Sequence, residues 1–127
     1  MEPFSVLLID DEEELVNTLV ERLEFRGIRA AAATSGRRAL EALEKQEFQV
    51  AVIDLKMPGL SGIDVLEVMR RRYPDTKVIL ITGHGTEDGS SAEVPPGAFD
   101  ILLKPFSLEA LIERIHAALG RQGRRAP

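Results

Sequence analysis

The chain has no cysteine and no tryptophan, and a single tyrosine. Without cysteine there can be no disulfide framework, thiolate metal site or thiol nucleophile, although that absence names no compartment. Zinc would have to rely on the 2 histidines. No apolar run exceeds strand length, and the opening residues MEPFSVLLIDDEEE have no basic start and turn acidic straight after their apolar stretch. Neither a membrane span nor a secretory leader is therefore expected, and a cytoplasmic protein without membrane contact is the default. With 16 basic against 21 acidic residues and a formal net charge of -5, nucleic acid is not expected as a direct ligand, because phosphate binding needs a basic surface. An acidic chain can, however, hold a cation. Neither Gly-x-x-x-x-Gly-Lys nor Gly-x-Gly-x-x-Gly occurs, which removes the usual support for a nucleotide-binding enzyme.

What remains is ample for one domain. The chain has 127 residues, 44% of them hydrophobic and 29% charged, enough for a core and a solvated surface but not for a second core and a linker. Five short apolar runs recur at fairly even spacing: Ser5 to Ile9, Ile28 to Ala33, Val50 to Ile53, Val78 to Ile81 and Ile101 to Leu103. Four are continuously apolar, as parallel strands covered on both faces should be; the alanine-rich second run has the weakest strand signal. Between them, apolar residues recur three and four apart: Leu15, Leu19 and Leu23; Leu40 and Leu43; Val65, Leu66 and Met69; Leu108, Leu111, Ile112, Ile115 and Leu119. That spacing predicts helices with one buried stripe. Ser61, three residues before Asp64, and Ser107 read as helix starts, and Gly27 and Gly120 as stops.

Strand and helix alternation with right-handed crossovers gives an α/β fold, an open, doubly wound five-stranded parallel sheet with helices on both faces. The segment Gly83 to Gly97 breaks the pattern. It holds several glycines and two prolines but a single large aliphatic residue, Val94, so the fourth helix expected there is weak or irregular. Residues 1–120 are expected to form the domain and 121–127 a flexible basic tail.

In such a sheet, ligands bind outside the carboxyl ends of the strands. The runs end in Asp10 and Asp11, in Asp54, in Thr82, and in Lys104 followed by Pro105. Each has an ordinary structural explanation: an acidic helix start, a turn former before Met57-Pro58-Gly59, a cap, a solvated lysine. Glu12, Glu13 and Glu14 are assigned to the helix start, where carboxylates complement the macrodipole. For the others the ordinary explanations fail jointly, because two like charges about 4 Å apart repel by about 4 kcal/mol at an effective dielectric near 20. Hard oxygen donors with room for water suit magnesium, which takes one or two carboxylates together with phosphate oxygens. A carboxylate nucleophile, Asp54 being the most central in the sheet, can then form an aspartyl phosphate.

Asp10-Asp11, Asp54 with Met57-Pro58-Gly59-Leu60-Ser61-Gly62, Thr82, and Lys104-Pro105-Phe106 together resemble the receiver domain of bacterial two-component response regulators. The resemblance runs from Val6 to Leu119, and Gly97-Ala98-Phe99-Asp100 places it nearest receivers of the chemotaxis and nitrogen-regulation type. It implies the flavodoxin-like strand order 2-1-3-4-5. It implies that Asp54 accepts a phosphoryl group from a sensor histidine kinase or phosphotransfer protein, and that Asp11, Asp54 and the Lys56 backbone carbonyl bind Mg2+, with Asp10 acting through coordinated water. It implies that Lys104 contacts a phosphoryl oxygen, that Thr82 hydrogen-bonds another after a conformational switch, and that the Lys104-Pro105 bond is cis. Lys56 and His84 fall where side chains tune acyl-phosphate hydrolysis. The implied protein is a phosphoacceptor signalling domain rather than an enzyme acting on an external substrate. Its partners would include an output domain or downstream protein, with a phosphorylation-dependent dimer on the output face.

One departure concerns the switch: the position three before the lysine, usually aromatic or histidine in the family, is Ile101. Phe99 shares its strand face and is expected in the core. The weak fourth helix is the other departure. Among rival readings, a flavin module would want a hydroxyl-rich loop after the first strand and flanking aromatics, and an aspartate-nucleophile phosphatase would want Asp-x-Asp there; the chain has neither.

Overall fold

The apolar periodicity is realised as β1 (Ser5–Ile9), α1 (Glu13–Phe25), β2 (Arg29–Ala33), α2 (Gly36–Lys45), β3 (Val50–Asp54), α3 (Gly62–Arg72), β4 (Lys77–Thr82), β5 (Asp100–Leu103) and α4 (Leu108–Ala118) in a computed structural model. The structure describes residues 3–83 and 94–120. The weak helix expected between β4 and β5 falls largely on residues 84–93, and the basic tail on 121–127, both outside the described residues, as is His84. The strands form one sheet in the order β2-β1-β3-β4-β5, every neighbouring pair parallel. This is the flavodoxin-like order.

Alternation of side chains along each strand divides the core into two layers. Leu7, Ile9, Ala51, Ile53, Val78 and Leu80 meet Ala39 and Leu43 of α2 and Val65, Leu66 and Met69 of α3 on one face. Val6, Leu8, Val50, Val52, Ile79 and Ile81 meet Val16 and Leu23 of α1 and Leu111, Ile115 and Ala118 of α4 on the other. Strands β1, β3 and β4 are therefore covered twice, which explains their unbroken apolar sequences. Strand β2 lies at the sheet edge and only Ala33 in it is buried, so its small side chains match a strand with less to bury.

Local chemistry fixes the helix ends. Helix α1 closes as a Schellman turn: Gly27, at φ 83, donates its N–H to the Glu24 carbonyl, Ile28 donates to that of Leu23, and both Leu23 and Ile28 are buried. At α3 the Ser61 hydroxyl accepts from the Asp64 N–H while the Asp64 carboxylate accepts from the Ser61 N–H, a complete capping box. Ser107 caps α4 by accepting from Ala110 N–H.

Phe99 corrects an expectation. It immediately precedes the edge strand β5 and is 43% exposed; its backbone N–H is bonded to the Val78 carbonyl, but its ring is not part of either core layer. Phe99 lies one residue before β5 begins, so alternation along the strand does not carry it into the core. Ile101 is partly buried and packs against the α2/α3 layer. Among the described residues, no helix is long and apolar enough to cross a membrane.

Candidate functional site

Four strand ends meet at one rim of the sheet. Asp10 follows β1, with its N–H bonded to the Ala33 carbonyl of β2. Asp54 ends β3 in register with Ile81, and Leu55 N–H donates to the Ile81 carbonyl. Thr82 ends β4, and its carbonyl accepts from the Lys104 N–H at 2.9 Å, which aligns the exit of β5 with that of β4. The Lys104-Pro105 bond is cis.

Carboxylate oxygens of Asp10, Asp11 and Asp54 lie within 4.8 Å of one another. Asp10 and Asp54 are buried, at 5% and 6% exposure, whereas Asp11 is exposed. Each buried carboxylate is oriented by its own turn: Asp10 Oδ1 accepts from Glu12 N–H at 2.9 Å, and Asp54 Oδ1 accepts from Lys56 N–H at 3.1 Å. The other oxygens face an ammonium, with Lys104 Nζ 3.5 Å from Asp54 Oδ2 and 3.8 Å from Asp10 Oδ2.

The charges do not balance. Burial pushes the Asp10 carboxyl up to about 6; the Glu12 N–H and Lys104 pull it down, while the Asp54 and Glu12 charges push it further up. Burial alone would lower the Lys104 ammonium, but the Asp54, Asp10 and Glu12 carboxylates prevail and hold its pKa above the ordinary lysine value. One lysine thus serves more carboxylates than it can neutralise.

The assignment of Glu12, Glu13 and Glu14 to a helix start holds, with Glu13 and Glu14 in the first turn of α1, but it leaves out a contact that Glu12 makes at the site. Glu12 is the N-cap of α1, and its side chain makes no capping bond. It reaches across to Lys104, with Oε1 3.5 Å from Nζ. Its place directly after two aspartates was the available signal. Because Asp54 raises Lys104 more than Glu12 does, Glu12→Gln is expected to lower the Lys104 pKa and Asp54→Asn to lower it further. Nζ-detected NMR titration checks this, and a reversed order would contradict the placement of these charges.

The response regulator receiver domain family model matches residues 6–116. The chain is 33% identical over 123 residues to the uncharacterized transcriptional regulatory protein YkoG of Bacillus subtilis (strain 168), covering 97% of this chain and 54% of that protein. It is 32% identical over 114 residues to a putative NtrX-like response regulator of Rickettsia conorii (strain ATCC VR-613 / Malish 7), covering 88% of this chain and 24% of that protein. This chain thus spans about half of the first relative and a quarter of the second. Among solved structures, the Francisella response regulator 1452 receiver domain superposes with a TM-score of 0.82 at 30% identity, covering 93% of this chain and 98% of that one. The response regulator TrrA from Thermotoga maritima, in complex with Mg(2+)-BeF, gives 0.77 at 27% identity, covering 91% and 98%. Sequence and fold agree: this chain belongs to the receiver domain family of two-component response regulators, signalling domains rather than enzymes.

Proposed function

We propose that Asp54 is the phosphoacceptor of this receiver and takes its phosphoryl group from a phosphohistidine on a sensor histidine kinase or phosphotransfer protein. The observation that supports this most is the convergence on one buried carboxylate, Asp54, of Lys104 at 3.5 Å and two further aspartates within 4.8 Å. In the transfer, an Asp54 oxygen forms the new O–P bond as the P–N bond breaks, and the imidazole leaves with the electron pair and is reprotonated. Lys104 provides fixed positive charge where the phosphoryl oxygens come to rest.

The donor set fits magnesium. It consists of hard oxygens, carries more negative charge than Lys104 can offset, and includes a carboxyl held up at about 6 by burial. Asp11, Asp54 and the Lys56 carbonyl would hold the ion directly, and Asp10 would act through coordinated water. When bound, magnesium neutralises charge developing on the phosphoryl oxygens. Thr82, at the end of β4, is proposed to donate its hydroxyl to a phosphoryl oxygen in the signalling state.

The signal is proposed to pass to an output domain or a downstream protein, since the relatives that the chain covers only in part are named transcriptional regulatory proteins and response regulators. The β4–β5 side, including Ile101, would carry it and form a phosphorylation-dependent dimer. Such a protein would work in the cytoplasm. The test is mass spectrometry after incubation with acetyl phosphate and magnesium, which is expected to show one phosphoryl group, on Asp54. Chelation of magnesium is expected to stop the reaction and Asp54→Asn to abolish it. Equal modification of Asp54→Asn would refute the assignment.

A further inference from the structure

Two buried glycines in the described residues, Gly36 and Gly62, are not held by torsion, for neither has a positive φ. What excludes a side chain is contact. A Cβ on Gly62 would lie 2.4 Å from the Asp54 carbonyl oxygen and 2.9 Å from Leu55 Cα. A Cβ on Gly36 would meet the Leu60 carbonyl oxygen at 2.8 Å, with Leu60 Cβ and Val65 Cγ2 at 2.9 Å. Both sites are closed, but only the first is closed by the backbone of Asp54.

We propose that Gly62 is a positioning residue for phosphoryl transfer: its bare Cα lets α3 abut the Asp54 carbonyl and so sets where the acceptor carboxylate stands. The inference rests on the reading of Asp54 as acceptor. The peptide after Asp54 is gripped from two sides, by Gly62 on one and, on the other, by the 2.9 Å hydrogen bond from Leu55 N–H to the Ile81 carbonyl. Helix α3 has little freedom to retreat, because its N-terminus is locked by the Ser61–Asp64 capping box and Val65, Leu66 and Met69 are buried in the core. A side chain at position 62 would therefore push on the β3 backbone, which cannot rotate away as a flexible side chain could. The push would reach the Asp54 carboxylate through its own backbone. It would also reach Lys56, whose N–H is bonded to that carboxylate and whose carbonyl is a proposed magnesium ligand. Reacting groups must be held to within about 0.5 Å, and an error near 1 Å can cost about 100-fold in rate.

Gly36→Ala supplies the comparison, since it crowds the same β3–α3 connection at Leu60 without touching Asp54. Each variant is assayed well below its own unfolding temperature for its acetyl phosphate-dependent phosphorylation rate at saturating magnesium, and for its magnesium dissociation constant by calorimetry. Gly62→Ala is expected to lose at least about 10-fold in rate and to bind magnesium more weakly, while Gly36→Ala stays within about 2-fold of the unsubstituted protein. Unchanged rate and affinity in Gly62→Ala would overturn the proposal, and so would an equal loss in Gly36→Ala. If Gly62→Ala does not fold in buffer, the measurements are made in trimethylamine N-oxide, which favours compact states. Failure to fold even there, with Gly36→Ala folded, would assign Gly62 to folding and also overturn the proposal. An unsubstituted protein that accepts no phosphoryl group would instead overturn the acceptor assignment, and the role of Gly62 with it.

Discussion

Magnesium alone, with no phosphoryl donor present, is expected to raise the unfolding temperature by about 10 °C at a hundredfold excess over its dissociation constant. A ligand that binds only the native state stabilises it by RT ln(1 + [L]/Kd), about 2.7 kcal/mol at that excess, and each kcal/mol shifts a domain of this size by about 4 °C. The native state alone assembles the site, because Asp10, Asp11 and Asp54 come from two strand ends far apart in the chain and meet only in the folded sheet. Asp11→Ala separates this effect from general charge screening. Asp11 is exposed, so its loss should cost the metal-free fold little, yet it removes a proposed direct ligand and most of the response to magnesium. Thermal unfolding of both proteins with and without magnesium is the measurement. An unsubstituted protein whose unfolding temperature ignores magnesium would refute the metal site.

The parts of this site that the sequence reveals are those that depend on topology. Parallel strands all present their carboxyl ends to one rim, so Asp10, Asp54, Thr82 and Lys104 can be placed together once the runs before them are recognised as strands. Register is a different matter: β1, β3 and β4 are apolar on both faces, so their sequences carry no alternation to set it, and the pairing of Asp54 with Ile81 is seen only in the folded sheet. Features decided by short-range packing were not visible. Glu12 looked like one more acid at a helix start, and only the geometry of the α1 N-cap sends it toward Lys104. Phe99 is aromatic and in phase with Ile101, but burial depends on what lies beyond the edge strand, which a pattern of two does not report. Gly62 reads as one of several turn glycines beside Gly59, yet Gly59 is required by its φ of 71 and Gly62 by the 2.4 Å approach its Cβ would make to Asp54. Torsion and contact leave the same letter in the sequence.

Lowering the pH is expected to stabilise the metal-free protein over a range where most proteins gain little, and Asp10 is the reason. Its carboxyl is raised from 3.8 to about 6 in the folded state, so the folded protein holds this proton more tightly than the unfolded chain does. The protonated form therefore contributes stability that is fully present below 3.8 and is lost as the pH rises through about 6. Between pH 8 and pH 5 the gain is on the order of 1 kcal/mol, or about 4 °C. Asp10→Asn should mimic the protonated form at every pH. Its amide oxygen can still accept from the Glu12 N–H, as Asp10 Oδ1 does at 2.9 Å, while the charge that repels Asp54 is gone. At pH 8 without metal this variant is expected to be more stable than the unsubstituted protein by about 3 kcal/mol, and its unfolding temperature should lose the rise between pH 8 and pH 5. Magnesium should narrow or reverse the difference, because a cation favours the carboxylate over the amide and competes with its proton. In the unsubstituted protein the magnesium-induced rise should accordingly shrink as the pH falls through about 6. Unfolding curves over a grid of pH and magnesium concentration measure all of this together. A variant less stable than the unsubstituted protein at pH 8 without metal would show that the Asp10 charge is already compensated by Lys104 and that the site is not strained toward a cation.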